Sequence, residues 1–385
     1  MIYNVLTNAV LASDYLRIPA WVFPDLAMMM RMDAAPKSRR SKLSRLVPML
    51  AGLMAASGNL PAEEAAHFPL SQLKAAAAYS ATHAGEVFVA MQHGKVIFED
   101  YPNGGGRDLP HRIYSGTKGF WGLAALAAAE EGIIDVDERV SNTITEWRED
   151  PRKARITIRQ LWQMTSGLER CILLHEDGLA NRNATAIGRP LQSDPGKSFI
   201  YGPSSLQVFE ELLKRKLAKR RELPTHYLER HVLHPLGLGP QRYLPDRSGN
   251  PLLAAGFMMT GRDWAGIGQV LLRHGKPIIK PESMDLIRHG STANAAFSFG
   301  FWNNTNASHH GAVEPDIEKM LEGDWYKHSW TNVCLCRSAP PDLLAAIGSH
   351  FQRLYVSPQH DLVVVRMGSH SNYQDSKFLR LLFGE

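Results

Sequence analysis

Short apolar segments of strand type lie near both ends of the chain. They are rich in valine, isoleucine and phenylalanine, and turn-forming residues separate them. The pair His93-Gly94 predicts a tight turn between the first two, because glycine readily adopts positive φ. The predicted strands are residues 86–92, 95–101, 299–302, 352–356 and 362–367.

Segments with helical spacing of apolar residues fill the middle of the chain and flank the strands. Strands at both ends with helices between them imply an α+β fold, in which the N- and C-terminal parts build one antiparallel sheet flanked by helices. We assign residues 61–125 and 290–385 to this α/β part and 126–289 to an inserted, mainly helical subdomain, with the site in the cleft between them. The predicted helices are residues 61–84, 115–129, 156–168, 206–217, 261–273 and 375–383.

Residues 1–60 predict an N-terminal extension that contains a signal-peptide-like segment. A basic run, 37–45, precedes a short apolar stretch, 46–56, and small residues follow. A start at Met30 or Met32 would place this segment at the terminus, and residues 1–30 are then an upstream extension or a separate arm. The alternative is an amphipathic helix packed on the domain. A functional signal implies a periplasmic or secreted protein, and otherwise the protein is cytoplasmic. The apolar stretch is too short to predict a stable membrane span.

Composition excludes several other classes of protein. The net charge of +5 is modest and the signs are mixed outside the basic run, so nucleic-acid binding is not predicted. The three cysteines, Cys171, Cys334 and Cys336, predict neither a disulfide framework nor a metal site, and we interpret them as core residues. No metal or organic cofactor is implied, and the sequence leaves the oligomeric state open.

The stretch Ser115-Gly116-Thr117-Lys118 contains the candidate chemistry. Residues i and i+3 of a helix share one face, so the amine of Lys118 can reach the hydroxyl of Ser115. A lysine desolvated by apolar packing has a lowered pKa and can take the proton from a serine nucleophile. The spacing alone also fits an N-cap serine followed by a solvated lysine.

From about residue 80 onward the chain resembles the serine β-lactamase-like superfamily. This group comprises class C β-lactamases, penicillin-binding DD-peptidases, family VIII esterases and 6-aminohexanoate-oligomer hydrolases. The resemblance implies the β-lactamase/transpeptidase-like fold and makes Ser115 the nucleophile and Lys118 its base. It rests on segments in the same order: 87–101, 114–120, 156–168, 195–201, 234–238, 256–275 and 352–367.

The second family motif, Tyr-x-Asn, corresponds here to Tyr201-Gly202-Pro203. The resemblance implies that Tyr201 moves protons among Ser115, Lys118 and the leaving group. Pro203 has no side-chain amide to help hold the lysine and the substrate, which argues against efficient β-lactam hydrolysis. Ser204 or Ser205 is a candidate to supply a hydroxyl in its place.

The third family motif corresponds to Gly348-Ser349-His350, closest to the Gly-x-Gly form of the ester and amide hydrolases. The resemblance implies that a backbone N–H at or next to His350 pairs with that of Ser115 in an oxyanion hole. The motif contains no lysine for a substrate carboxylate. The imidazole of His350 either enters the pocket or points away. Further candidates for the pocket lining are Glu169, Trp302 and Trp330.

The resemblance therefore predicts a serine hydrolase that forms an acyl-enzyme with a small-molecule ester or amide, as a carboxylesterase or short-amide hydrolase. A β-lactamase or D-amino-acid peptidase is the first alternative. The second is a catalytically inert binding module of the penicillin-recognising type, which the altered second and third motifs favour and the intact Ser115, Lys118 and Tyr201 oppose.

Overall fold

Seven strands form one antiparallel sheet within the residues that the computed structural model describes, 67–321, 329–369 and 371–384. The strands of the chain are β1 (Gly85–Gln92), β2 (Lys95–Asp100), β3 (His111–Arg112), β4 (Met258–Met259), β5 (Phe297–Ser298), β6 (Phe301–Asn303), β7 (Leu344–Gly348), β8 (Gln352–Ser357) and β9 (Leu362–Gly368). The order across the sheet is β2-β1-β9-β8-β7-β6-β5, and β3 pairs separately with β4. N- and C-terminal strands therefore meet at the β1–β9 pair, as the sequence predicted.

Helices cover both faces of this sheet and fill the middle of the chain. They are α1 (Leu70–Thr82), α2 (Thr117–Glu130), α3 (Ile158–Trp162), α4 (Arg182–Ile187), α5 (Pro203–Leu217), α6 (Pro224–Leu228), α7 (Gly261–Leu272), α8 (Met284–Arg288), α9 (Ile317–Leu321) and α10 (Asp375–Phe383). The predicted α+β architecture is confirmed.

Strand β1 shows how the two faces are covered. Its side chains alternate between the faces of the sheet. Val87 lies against the backbone at Gly261, where α7 begins. The neighbouring Phe88 lies on the opposite face, where its ring centre is 6.1 Å from that of Phe378 in α10. Buried apolar residues on both faces therefore fix the register of the strand.

Three sequence assignments need correction. Residues 299 and 300 of the predicted strand 299–302 form a turn, and β6 begins at Phe301. Helix α7 packs on β1, β8 and β9, so it belongs to the α/β part and not to the helical part assigned to 126–289. The helix predicted over 156–168 ends at Trp162. Met164 has a φ of 55°, which a right-handed helix does not allow, and the chain turns there. Tertiary packing therefore overrides the apolar periodicity of this segment.

Helix α2 lies unusually close to the sheet. A Cβ atom on Gly122 would lie 1.9 Å from the carbonyl oxygen of Phe299, between β5 and β6. Any larger residue would push the helix away from the sheet. This contact positions the first turn of α2, which carries the candidate nucleophile.

The predicted N-terminal extension, residues 1–60, lies outside the described residues, and its interpretation as a signal-peptide-like segment stays a prediction. The described residues belong to one compact unit, Ala65–Glu385. Among them, no helix combines the length and apolar character needed to cross a bilayer. The three cysteines are buried and unpaired with one another, as expected for core residues.

Candidate active site

Ser115 lies in a single 3₁₀ turn, Tyr114–Gly116, that leads directly into α2. Tyr114 has a φ of 45°, an uncommon value for a residue with a Cβ atom. The turn is held from outside by Phe257, whose carbonyl accepts from the N–H of Ile113 and whose N–H donates to Oγ of Thr117. This arrangement leaves Ser115 half-buried at the edge of a cavity of about 390 Å³.

Lys118 is placed as the sequence spacing predicted. Its Nζ donates to Oγ of Ser115 over 2.7 Å and to the carbonyl oxygen of Ala254 over 2.9 Å. The residue is 2% exposed. Burial, and to a smaller extent the positive charge of Arg170, lower the pKa of Lys118 to about 7. A neutral amine at neutral pH, in contact with a serine hydroxyl, can accept its proton.

Tyr201 enters the same site from the loop before α5. The Nζ of Lys118 lies 4.8 Å from the centre of its ring. Burial raises the pKa of Tyr201 to about 12, although a hydrogen bond with the Ser115 side chain acts in the opposite direction. The group is therefore a neutral phenol at ordinary pH, which suits a proton donor better than a base.

The third predicted motif lies where β7 ends beside the Ser115 turn. Gly348 is so close to this turn that a Cβ atom would lie 2.1 Å from the carbonyl oxygen of Ile113. Ser349 and His350 both line the catalytic cavity. The ring of His350 lies 5.0 Å from that of Tyr114, so its imidazole is on the cavity side.

The backbone of His350 does not face the nucleophile, which corrects part of the sequence prediction. His350 and Phe351 both have a φ of 59°, and this left-handed pair turns their two N–H groups to one side. The carboxylate of Glu318 in α9 accepts both, at 2.6 and 3.0 Å. The N–H of Ser349, immediately before them, is therefore the oxyanion-hole candidate from this turn.

A buried arginine forms hydrogen bonds and ion pairs with this turn and with the carboxylate that holds it. Arg353 of β8 donates to the carbonyl oxygen of Gly348 over 2.8 Å and pairs with Asp375 at 2.7 Å and Glu318 at 3.2 Å. Burial alone would lower the pKa of Arg353, but the Asp375 carboxylate beside it raises the value above that of a free arginine. No sequence pattern indicates this cluster, because its members lie on α9, β8 and α10.

The other predicted residues, which were candidates for the pocket lining or for the amide missing at Pro203, do not all lie at this cavity. Glu169 and Trp330 line a second cavity, whereas Trp302 is 1% exposed and packs in the core, with its ring 6.3 Å from that of Tyr201. Ser204 and Ser205 do not replace the missing amide of Pro203. The hydroxyl of Ser204 donates to the carbonyl oxygens of Glu169 and Arg170, and that of Ser205 bonds to Ser166.

Arg170 and His175 are among the residues of the cavity wall that were not predicted. Both follow the segment that was taken for the end of a helix. The chain turns back there, and Cys171 has a φ of 44°. The dipeptide Ser166-Gly167 is a turn signal that indicates a loop after this helix, but not which part of the fold the loop contacts.

Comparison with known proteins agrees with this architecture. The sequence model of the Beta-lactamase family matches residues 73–377. The chain belongs to the Beta-lactamase family, whose members are serine hydrolases. The fold is of the β-lactamase/transpeptidase type.

Individual relatives are distant. The chain is 29% identical to Protein flp of Staphylococcus aureus (strain MW2) over 33% of this chain and 26% of that protein. It is 27% identical to the monacolin J acid methylbutanoyltransferase of Aspergillus terreus over 34% of this chain and 37% of that protein. These matches thus span about a quarter to about a third of the relatives' lengths. The structure of EstCE1, described as a hydrolase with promiscuous acyltransferase activity, matches 82% of this chain and 99% of that chain, with a TM-score of 0.61 and 18% identity.

Proposed function

We propose that the protein hydrolyses carboxylic esters or short amides through an acyl-enzyme on Ser115. One observation carries the proposal, namely the 2.7 Å contact between Nζ of Lys118 and Oγ of Ser115, with the pKa of that amine near 7. A buried lysine in contact with a serine has no evident structural purpose, because burying its charge destabilises the fold.

In the first step, neutral Lys118 takes the proton from Ser115 as Oγ attacks the carbonyl carbon. The backbone N–H groups of Ser115 and Ser349 stabilise the negative charge on the carbonyl oxygen. The bond to the leaving group then breaks, and the leaving oxygen or nitrogen receives a proton from the phenol of Tyr201. Lys118 returns its proton to Tyr201, so the acyl-enzyme forms with both groups in their starting states.

In the second step, water attacks the acyl-enzyme. Lys118 takes a proton from the water, the ester bond to Oγ breaks, and Ser115 recovers its proton. The products are a carboxylic acid and the free enzyme. Both steps use Ser115, Lys118 and the same oxyanion contacts, and Lys118 returns the proton from water to Oγ of Ser115 in the second.

The altered motifs favour an ester or short amide over a β-lactam. Pro203 offers no amide to hold the amide group of a penicillin, and Gly348-Ser349-His350 brings no lysine to its carboxylate. The β-lactamase or D-amino-acid peptidase and the inert binding module remain the competing hypotheses.

The test is the release of p-nitrophenolate from p-nitrophenyl butyrate by the full chain. Ser115→Ala should reduce kcat/KM by about 10³-fold or more, because it removes the hydroxyl that contacts Nζ of Lys118. Ser308→Ala, at an exposed serine far from this cavity, is the matched control and should retain full activity.

Covalent labelling separates the three hypotheses. A fluorophosphonate that labels Ser115, with no turnover of nitrocefin, supports the esterase proposal. Rapid nitrocefin hydrolysis would replace it with a β-lactamase. Failure of both fluorophosphonate and labelled penicillin to modify Ser115 would favour the inert module.

A further inference from the structure

A second and larger cavity, of about 1040 Å³, adjoins the catalytic cavity and shares Arg170 and Ile172 with it. Its volume is that of a site for an extended small molecule. The aromatic rings of Phe199 and Trp330 form part of its wall. Ile172 and Leu173 are 57% and 59% exposed on its rim, so apolar surface is available to a ligand.

The charged groups around this cavity are mostly cationic. Arg170, Arg189 and Lys197 line it, together with one carboxylate, Glu169. Glu169 lies 3.6 Å from Arg189, so the charges of these two offset each other. Arg170 and Lys197 remain, and the cavity carries net positive charge.

Arg170 differs from the other interior arginines of the described chain. Its Nε is buried and has no hydrogen-bond partner among the described residues. The Nε of Arg366 is also unpaired, but that side chain donates through its other two nitrogens to the carbonyl oxygens of Phe351 and His83. Arg182, by contrast, donates to the carbonyl oxygens of Leu174, Leu244 and Asn250. A buried N–H without an acceptor costs free energy, so the unpaired Nε of Arg170 between the two cavities favours a ligand that supplies the missing acceptor.

The position of Arg170 is set by the backbone next to Tyr201. A Cβ atom on Gly202 would lie 2.5 Å from Cγ of Arg170, so the stem of the arginine lies directly on this glycine. Its charge is close enough to the catalytic lysine to lower the pKa of Lys118. A group bound to Arg170 would therefore lie next to the reacting bond.

We propose that Arg170 binds a carboxylate carried by the substrate, whose apolar body occupies the larger cavity. A planar guanidinium matches a carboxylate through two parallel hydrogen bonds, and this geometry favours a carboxylate over a neutral polar group. The preferred substrates are then esters or amides of amphiphilic acids or alcohols that carry a free carboxylate. The inference rests on the proposed function and adds the class of substrate to it.

The experiment compares matched substrate pairs that differ only in charge. The first pair carries the carboxylate on the acyl group, p-nitrophenyl hydrogen glutarate against its methyl ester. The second carries it on the leaving group, 3-acetoxybenzoate against its methyl ester. The measured quantity is the ratio of kcat/KM, anionic over neutral, at pH 9. Because both members are measured on the same variant, an effect of the substitution on Lys118 cancels in the ratio.

In at least one pair, the wild type should prefer the anionic member by about tenfold to hundredfold, as charge-assisted hydrogen bonds allow. Arg170→Gln should bring this ratio to about one, and Arg170→Lys should restore it in part. Arg189→Gln is the matched control from the same cavity and should keep most of the preference, because Glu169 already offsets that charge. A ratio near one in both pairs for the wild type, or a preference that survives in Arg170→Gln, would overturn the inference.

A binding measurement tests the contact between Arg170 and a carboxylate without catalytic turnover. Glutarate should bind Ser115→Ala about tenfold or more tightly than it binds the Ser115→Ala, Arg170→Gln double variant, by calorimetry. Equal affinity would refute the role of Arg170. Turnover of the neutral esters without any anion preference would refute this inference alone. Glutarate binding that depends on Arg170, with no ester turnover, would refute the proposed function alone.

Discussion

Replacing Lys118 with methionine should remove activity and, at the same time, stabilise the fold. Methionine preserves most of the volume of lysine and carries no charge. Lysine has an ordinary pKa of 10.5, and burial lowers it here to about 7. The difference, at 1.36 kcal/mol per pH unit, means that folding a protonated Lys118 costs about 5 kcal/mol below pH 7. The variant does not bear this cost.

Part of this gain is lost with the hydrogen bonds. Without the amine, the carbonyl oxygen of Ala254 and the hydroxyl of Ser115 lose their donor. Leaving such groups unpaired costs about 1–3 kcal/mol. The expected net stabilisation of Lys118→Met at pH 6 is therefore about 2–4 kcal/mol, together with the loss of nearly all esterase activity.

The difference in stability should depend on pH in a defined direction. The folded-state pKa of Lys118 lies below the unfolded-state value, so the unfolded chain binds more protons between pH 7 and 10.5. The stability of the wild type therefore rises with pH in this window relative to the variant. The advantage of Lys118→Met should shrink by about 1.4 kcal/mol per pH unit above pH 7.

Urea unfolding of the full chain at pH 6, 7.5 and 9 measures this difference, because buried residues such as Trp121 and Trp264 provide a fluorescence signal. Lys95→Met, at an exposed lysine, is the control and should change stability by less than about 0.5 kcal/mol at every pH. Two results would refute the lowered pKa of Lys118. One is a Lys118→Met variant no more stable than the wild type at pH 6. The other is a difference in unfolding free energy between the two proteins that does not vary with pH.

Three further predictions follow from the same geometry. The kcat/KM for neutral esters should rise with pH through about 7 as Lys118 loses its proton. In Arg170→Gln the midpoint of this rise should move to higher pH, because a positive charge near Lys118 is removed. An unmoved midpoint would argue against electrostatic coupling between Arg170 and Lys118. Glu318→Ala should lower kcat by about 10- to 100-fold with a smaller change in KM, because the turn that carries the Ser349 N–H loses its carboxylate acceptor. Glu318→Gln should recover part of this loss. Equal activity of the wild type and both variants would contradict the role of Glu318 in holding the turn. Gly122→Ala should lower the free energy of unfolding by more than about 2 kcal/mol in urea titrations, because its Cβ would overlap the carbonyl oxygen of Phe299. An unchanged free energy of unfolding would contradict the close approach of α2 to the sheet.

Local patterns were predicted well where neighbours along the chain decide the geometry. The hairpin around His93-Gly94 forms as expected, because glycine at the turn and β-branched residues beside it favour one conformation. The contact between Ser115 and Lys118 agrees with the i, i+3 spacing that the sequence shows. The lowered pKa of Lys118 was also predicted, since an apolar helix buries any lysine on its packed face.

Predictions failed where residues distant in sequence decide the outcome. Ser204 and Ser205 were candidates for the missing amide, but their hydroxyls bond to the loop at Glu169–Arg170 and to Ser166. A backbone N–H at or next to His350 was predicted for the oxyanion hole, whereas Glu318 accepts the N–H of His350 itself. No period or motif in the sequence indicates which carboxylate will meet which backbone group.

The amino-acid sequence by itself predicted the type of fold and the serine–lysine pair. Strand periodicity and the i, i+3 spacing act within a few residues, and the resemblance of seven ordered segments to the β-lactamase-like superfamily implied the roles of Ser115 and Lys118. Only the tertiary structure decided the surroundings of that pair. Arg170 acquires its place from the close approach of Gly202, and the turn after β7 acquires its shape from Glu318 and Arg353. These contacts join segments more than thirty residues apart, and their energy depends on burial and distance, which exist only after the chain has folded.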